Sequence, residues 1–274
     1  MNKNKLRKGV DRALDQQARR RFLIKYMQQE RLKSANVRPE VISDDATAQK
    51  RLLRKLFNLR GPAPASDSFM RVQDRYLFNE NHVAPIIYQS DLDMIRPKIY
   101  LWQGDITQLA VDAIVNPANS RMLGCFIPNH GCLDNQIHTK AGIQLRLADQ
   151  KAMAGERLEA TGKAKLTPGF NLPAKFVIHT VGPVIIHQVT PLRRQLLAGS
   201  YQSCLELAEQ KGLSELAFCC ISTGEFRFPH DLAAQIAVNT VNDYLSSHTN
   251  APDVIFAVNS DLDKALYLHE LEGE

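Results

Sequence analysis

The chain has no stretch of 18 or more apolar residues, and its basic start, Met1 to Gly9, is not followed by an apolar run. The first absence excludes a membrane-spanning helix and the second a secretory signal, so no membrane partner and a cytoplasmic location are expected. Cysteine is sparse: Cys125, Cys132, Cys204, Cys219 and Cys220 make an odd set of five, scattered along the sequence. That argues against a disulfide framework and for reduced thiols. There is no internal repeat and no low-complexity tract, which removes solenoids and linker-dominated chains from consideration. The 274 residues, 44% of them hydrophobic, suffice for one sizeable core and an appendage.

Charge is unevenly spread. Residues 1–60 hold 17 of the 34 Lys and Arg with only 6 acidic residues, so the net +5 conceals a mildly acidic remainder. A basic arm can meet nucleic acid or an acidic protein. Here, however, Arg19, Arg20 and Arg21 adjoin Phe22, Leu23, Ile24, Tyr26 and Met27. That mixture is expected of a packed amphipathic helix with a solvated basic face, so nucleic acid is not an expected partner.

The first part reads as helices, Asp11 to Leu32 and Asp44 to Leu59, the latter with Asp45 and Thr47 as capping side chains and Leu52, Leu53, Leu56 and Leu59 as its stripe. Arg60 to Ser66 is a Pro- and Gly-containing connector, and Phe69 to Leu77 resumes a helical pattern. From about Lys98 strands alternate with helices. Strands are expected at Ile99–Trp102, Ala113–Val115, around Glu159–Lys165, at Phe176–Thr180, Leu216–Ile221 and Val254–Val258. Helices are expected at Asp134–Met153, Pro191–Lys211, His230–Ser246 and Asp261–Leu271. This order predicts an α/β fold with helices on both faces of a largely parallel sheet, and ligands at the carboxyl ends of its strands.

Two motifs carry chemistry. Cys125, His130 and Cys132 stand at C-x4-H-x-C spacing. Two thiolates and one imidazole form a three-ligand Zn²⁺ site whose fourth position stays open to water or substrate; equally, such cysteines can be small buried hydrophobes and His130 can satisfy a carbonyl. Cys219 and Cys220 lie in the apolar run Ala217 to Ile221 and are expected in the core. Ser222-Thr223-Gly224 ends a strand and leads toward a helix, a turn that lets backbone N–H groups converge on phosphate oxygens, although many such turns carry these residues for shape alone.

Five stretches in order resemble the macrodomain family of ADP-ribose-binding proteins: Trp102 to Thr107, Val111 to Ser120, Ala160 to Ala164, Val177 to Pro183 and Ile221 to Phe226. The Gly124-Cys125-Phe126…His130-Gly131-Cys132 insertion, a basic helical N-terminal extension and the connector Phe57 to Pro62 resemble the family's zinc-dependent branch. The resemblance implies a three-layer macrodomain with a mixed, largely parallel central sheet over residues 91–274, and a helical extension over 1–90. It implies ADP-ribose and mono-ADP-ribosylated protein as partners, one Zn²⁺ as cofactor, and hydrolysis that releases mono-ADP-ribose.

Under that resemblance Asp105 accepts from the adenine amino group with Ile106 alongside, and Asn119 binds the distal ribose hydroxyls. Backbone N–H groups of Ser222, Thr223, Gly224, Glu225 and Phe226 hold the diphosphate. Cys125, His130 and Cys132 bind the metal, Asp134 and Asn135 orient the ligands, and Glu225 is the candidate general base; N-capping by Asp134 or Asn135 and simple exposure of Glu225 are the alternatives. One departure stands out: Ala257-Val258-Asn259-Ser260 offers Asn259 where the branch commonly has an aromatic that can stack on adenine. A non-catalytic ADP-ribose reader, with structural zinc or none, is the competing reading. A third makes the N-terminal region the binding module and the α/β part its scaffold.

Overall fold

The computed structural model describes residues 14–273. Its N-terminal part is three helices, each opened by a side chain that accepts a first-turn N–H. They are α1 (Gln16–Ala35) capped by Asp15, α2 (Ala46–Leu59) capped by Asp45, and α3 (Asp67–Asn81) capped by Ser66. The helix expected from Asp11 thus starts at Gln16, its residues 11–13 lying outside the described region, and it ends where Asn36 adopts the left-handed conformation. Leu23, Ile24, Met27, Leu53, Leu56 and Phe69 form a core of their own, to which Ile143 of the α/β part contributes. The expected solvated basic face is not what forms. Arg20 is buried and donates from Nε to Gln49 Oε1 at 2.9 Å, while Arg21 pairs with Asp44.

The remainder is a seven-stranded sheet in the order β1-β2-β7-β6-β3-β5-β4. Its strands are β1 (Met94–Arg96), β2 (Ile99–Gln103), β3 (Ala113–Pro117), β4 (Ala164–Pro168), β5 (Phe176–Thr180), β6 (Glu215–Phe218) and β7 (Asp253–Val258). The central pairs are parallel; only the edges, β1 on β2 and β4 on β5, run antiparallel. Helices α4 (Leu133–Ala141), α5 (Ile143–Ala152), α6 (Pro191–Gln210), α7 (His230–Ser247) and α8 (Asp261–Glu272) complete the layers. This is an α/β architecture with a mixed, largely parallel sheet and an added helical region at the N-terminus, as expected.

Several boundaries depart from the sequence reading, among them the strand expected over Leu216–Ile221, which ends at Phe218. The helix expected over Asp134–Met153 is two helices, because Gly142 adopts φ +96° and the N–H of Ile143 is taken by Gln73 Oε1 from α3. The strand expected near Glu159–Lys165 begins only at Ala164, after a turn at Thr161–Gly162. Edge strand β1 was not anticipated, since three residues show too little alternation to register as a strand. Cys219 is buried in the main core and Cys220 packs against it, as expected, and Cys204 is buried there too.

The parallel register decides where chemistry can gather. Strands β2, β7, β6, β3 and β5 point their carboxyl ends to one rim, so the loops carrying Asp105, Asn259, Ser222, Asn119 and Gly182 emerge together.

Candidate active site and metal centre

At one end of the rim Asp105 opens a single 3-10 turn, Ile106–Gln108, with Oδ1 accepting from the Thr107 N–H at 3.0 Å and from its hydroxyl at 2.6 Å. Lys140 of α4 donates to Oδ2 at 2.7 Å. Burial works to raise the Asp105 pKa, but Lys140 and the Thr107 donors outweigh it and hold the carboxyl below the ordinary range. Ile106 is buried beneath the turn. The Gly104 N–H donates to the Val258 carbonyl, which brings Asn259 alongside the start of this turn.

At the other end the chain leaves β3 through Asn116 to Asn119. Asn119 Nδ2 donates to the Gly124 carbonyl at 3.1 Å and approaches Asp134 Oδ2 at 3.4 Å, while its Oδ1 accepts from the Arg121 N–H. Gly124 has φ +74°, and a Cβ there would lie 2.6 Å from the His138 ring, so the loop can pass this point only as glycine. The donor atoms of Cys125, His130 and Cys132 then come together, all within 4.8 Å of one another. Cys125 Sγ lies 3.7 Å from His130 Nδ1.

This donor set fits a tetrahedral cation. Zinc bonds of about 2.3 Å to sulfur and about 2.0 Å to nitrogen place neighbouring ligands at separations of that order, with one vertex left over. Burial, chiefly, and the adjacent Cys125 and Asp134 push the Cys132 thiol up to about 12, against the Asn135 N–H that favours the thiolate. A divalent cation among these atoms reverses that balance.

Opposite stands the loop after β6. Ser222 is buried at φ +69°, Arg227 donates its N–H to Gly224, and Phe228 donates to Ser222. The Thr223 hydroxyl donates to the Cys220 carbonyl, and the Phe226 carbonyl accepts from Ile185. Among the described residues no backbone carbonyl takes the N–H groups of Gly224, Glu225 or Phe226. A concave run of free N–H groups of this kind suits an anion. Glu225 Oε1 lies 3.5 Å from His130 Nε2, so this loop meets the metal cluster directly.

Behind the cluster lies a buried polar network that sequence reading did not anticipate. Asp134 and Asn135 do not cap α4; Cys132 occupies the N-cap position without a side-chain bond. Asp134 accepts from Asn116 at 2.9 Å and pairs with His138, one turn on along α4. His138 Nε2 reaches Asp149 Oδ2 at 2.8 Å, and Asp149 Oδ1 lies 3.2 Å from His179, whose Nδ1 accepts from Asn116. Burial lowers the His138 pKa, but the two carboxylates outweigh it and raise it to about 10; His179 is pushed down, mainly by burial. The same imidazolium holds Asp134 below the carboxylate range despite its burial. Asn135 instead accepts from Arg54 of α2 through Oδ1 and donates to the Ile127 carbonyl through Nδ2.

The sequence-derived residues therefore fall on one rim: Asp105 and Ile106 at one end, Asn119 and Cys125, His130 and Cys132 at the other, and Ser222 to Phe226 across from the metal cluster. Lys140, His138, Asp149, Arg54 and Arg146 were missed. The i,i+4 pairing of Asp134 with His138 was the one signal available for the network.

Comparison with known proteins agrees with this geometry. The family described as Macro domain matches residues 115–237. A relative from Treponema medium named protein-ADP-ribose hydrolase is 48% identical over 93% of this chain and 98% of its own. One of the same name from Staphylococcus aureus strain MRSA252 is 51% identical over 79% of this chain and 82% of its own. The solved Trypanosoma brucei macrodomain in complex with ADP-ribose aligns with a TM-score of 0.61, at 29% identity, over 83% of this chain and 96% of that one. The chain belongs to the macrodomain family.

Proposed function

We propose that this macrodomain is a zinc-dependent hydrolase that removes mono-ADP-ribose from modified protein side chains. The chain is an enzyme of the protein-ADP-ribose hydrolase kind. The observation that carries it is the meeting of Glu225, on the anion-binding loop, with His130, in the Cys-His-Cys cluster. A phosphate group held on the free N–H groups of that loop lies next to a three-ligand metal site.

Asp105, kept ionised by Lys140, accepts from the adenine amino group, and Ile106 floors that end of the cleft. Ser222, Thr223, Gly224, Glu225 and Phe226 supply the loop that receives the diphosphate, with Gly224, Glu225 and Phe226 offering the N–H groups, since the Thr223 N–H is taken by the Cys220 carbonyl. Asn119 turns its carboxamide to the hydroxyls of the distal ribose, its orientation set by Gly124 and Asp134. Cys125, His130 and Cys132 would hold the zinc, and the chemistry it would supply there is Lewis acidity toward a ribose oxygen. Glu225, on the open side of the cluster, takes a proton from the attacking water. The oxygen of that water bonds to the anomeric carbon, the bond from that carbon to the modified side chain breaks, and the side chain leaves with the proton that Glu225 took up. Asp134 positions Asn119, and Asn135 positions the ligand loop.

Incubation with a mono-ADP-ribosylated protein, with and without chelator, tests this. Release of ADP-ribose that chelator abolishes and added zinc restores supports the hydrolase. Retention of the modified protein without release supports a reader instead.

A further inference from the structure

The ligands of the metal site ride on a segment, residues 118–132, with no regular secondary structure, and its tip, Phe126, Ile127 and Pro128, is exposed. Such a segment does not hold three ligand atoms in place by itself; the residues around it must. The contacts that do so come largely from the N-terminal helices. Arg54 of α2 donates through Nη2 to the His130 carbonyl at 2.6 Å, and through Nε and Nη2 to Asn135 Oδ1 at 3.1 and 2.9 Å. Asn135, fully buried, passes this on: its side chain donates to the Ile127 carbonyl, and it stands in the first turn of the helix whose N-cap position is Cys132. One turn further along α2, Asn58 Oδ1 accepts from the Asn129 N–H at 2.9 Å. From the other side buried Arg146 donates to the Leu123 carbonyl and to the carbonyls of Phe57, Asn58 and Arg60, tying the loop to the end of the same helix.

We infer that the N-terminal extension is part of the metal site, and that Arg54 is its positioning residue, fixing His130 and, through Asn135, Cys132 in the geometry that binds the cation. The inference rests on the metal reading proposed above. The planar guanidinium suits this task because Nε and Nη2 grip the Asn135 carboxamide together while Nη2 also reaches the His130 carbonyl, all in one fixed plane; an ammonium carries enough donors but no such fixed plane.

The test uses full-length Arg54→Ala and Arg54→Lys, with zinc affinity measured by chelator competition and the absorption spectrum of the cobalt-loaded protein recorded alongside turnover. Removing a group that orients metal ligands typically weakens affinity about 10–100-fold, and that range is expected for Arg54→Ala, with an altered cobalt spectrum. Turnover number falls, affinity for free ADP-ribose stays within about twofold, and Arg54→Lys recovers only part of the zinc affinity. Leu53→Ala, which loosens the same helix on its core side, controls for general destabilisation. The inference is overturned if Arg54→Ala binds zinc as the wild type does, or if Leu53→Ala weakens zinc binding as much at an equal loss of thermal stability. Should Arg54→Ala not fold, Arg54→Lys decides alone, and wild-type zinc affinity in it is the overturning result. A wild-type chain that binds no zinc defeats the site reading and this inference together, whereas normal zinc binding that Arg54→Ala leaves untouched defeats the inference alone.

Discussion

His130 presents Nδ1 to Cys125 Sγ at 3.7 Å and Nε2 to the Glu225 carboxylate at 3.5 Å. A metal-binding histidine is commonly oriented in this way, with one nitrogen for the cation and the other held by a carboxylate. Because Glu225 belongs to the loop after β6, this contact joins that loop to the one carrying Cys125, His130 and Cys132. Under the proposed function it would couple substrate placement to metal geometry through two side chains from different loops.

The division of labour between metal and nucleotide gives the first prediction. Cys125→Ala removes a ligand but none of the groups proposed to hold ADP-ribose. Turnover should fall below detection while calorimetric affinity for ADP-ribose stays within about fivefold, since the groups assigned to the nucleotide remain. Equal loss of binding and turnover would show that the cluster supports the cleft structurally.

Glu225 is largely exposed, with 70% of its side chain accessible, so its replacement by Gln should leave folding intact. If it takes the proton of the attacking water, Glu225→Gln lowers kcat by about 10²-fold or more with little change in KM. An unchanged kcat, with only KM raised, would assign Glu225 to substrate binding.

The base end makes a pair of opposite predictions. Asp105→Asn removes the charge that Lys140 stabilises, and loss of a charged hydrogen bond should weaken ADP-ribose binding by about 1.5–3 kcal/mol. Asn259→Phe supplies the stacking surface that this chain lacks and should tighten binding by about 1–3 kcal/mol. Titration calorimetry with ADP-ribose and with ribose 5-phosphate separates the base contribution from the rest.

The buried network predicts a pH signature. His138 has its pKa raised from 6.5 to about 10 in the folded chain. Its contribution is therefore fully present below the unfolded value of 6.5 and is lost as pH rises through about 10. Breaking a buried ion pair by removing one partner costs about 3–5 kcal/mol, so His138→Gln should lower Tm clearly at pH 6. The gap between wild type and variant should close as pH approaches 10.5, about half a unit beyond the folded pKa. A gap that stays constant over this range would mean that His138 is neutral in the fold.

Much of the architecture was legible because each strand of the α/β part ends in a recognisable polar turn. Phe176–Thr180 was placed to the residue, and the ends of β2 and β3 lay within two residues of expectation. Apart from the short strand β1 and the strand ends, the misses share a cause, in that they depend on partners far away in sequence. Gly142 breaks a helix because Gln73, from another helix, accepts the freed N–H of Ile143. Arg20 is buried because Gln49 waits for its guanidinium, which a local charge pattern reads as a solvated face. Cys125, His130 and Cys132, whose donor atoms come together around one loop, were marked by their spacing. Lys140, Arg54 and Asp149 act through contacts 35, 81 and 11 residues away, and no local motif marks them.

The metal content of the purified chain, measured by inductively coupled plasma mass spectrometry and compared with that of Cys125→Ala, tests the central claim most directly. The account predicts about one zinc ion per wild-type chain and a small fraction of that in the variant, as a three-ligand site reduced to two requires. Hydrolytically active wild-type protein with no stoichiometric metal, or a variant that retains the full amount, would contradict it.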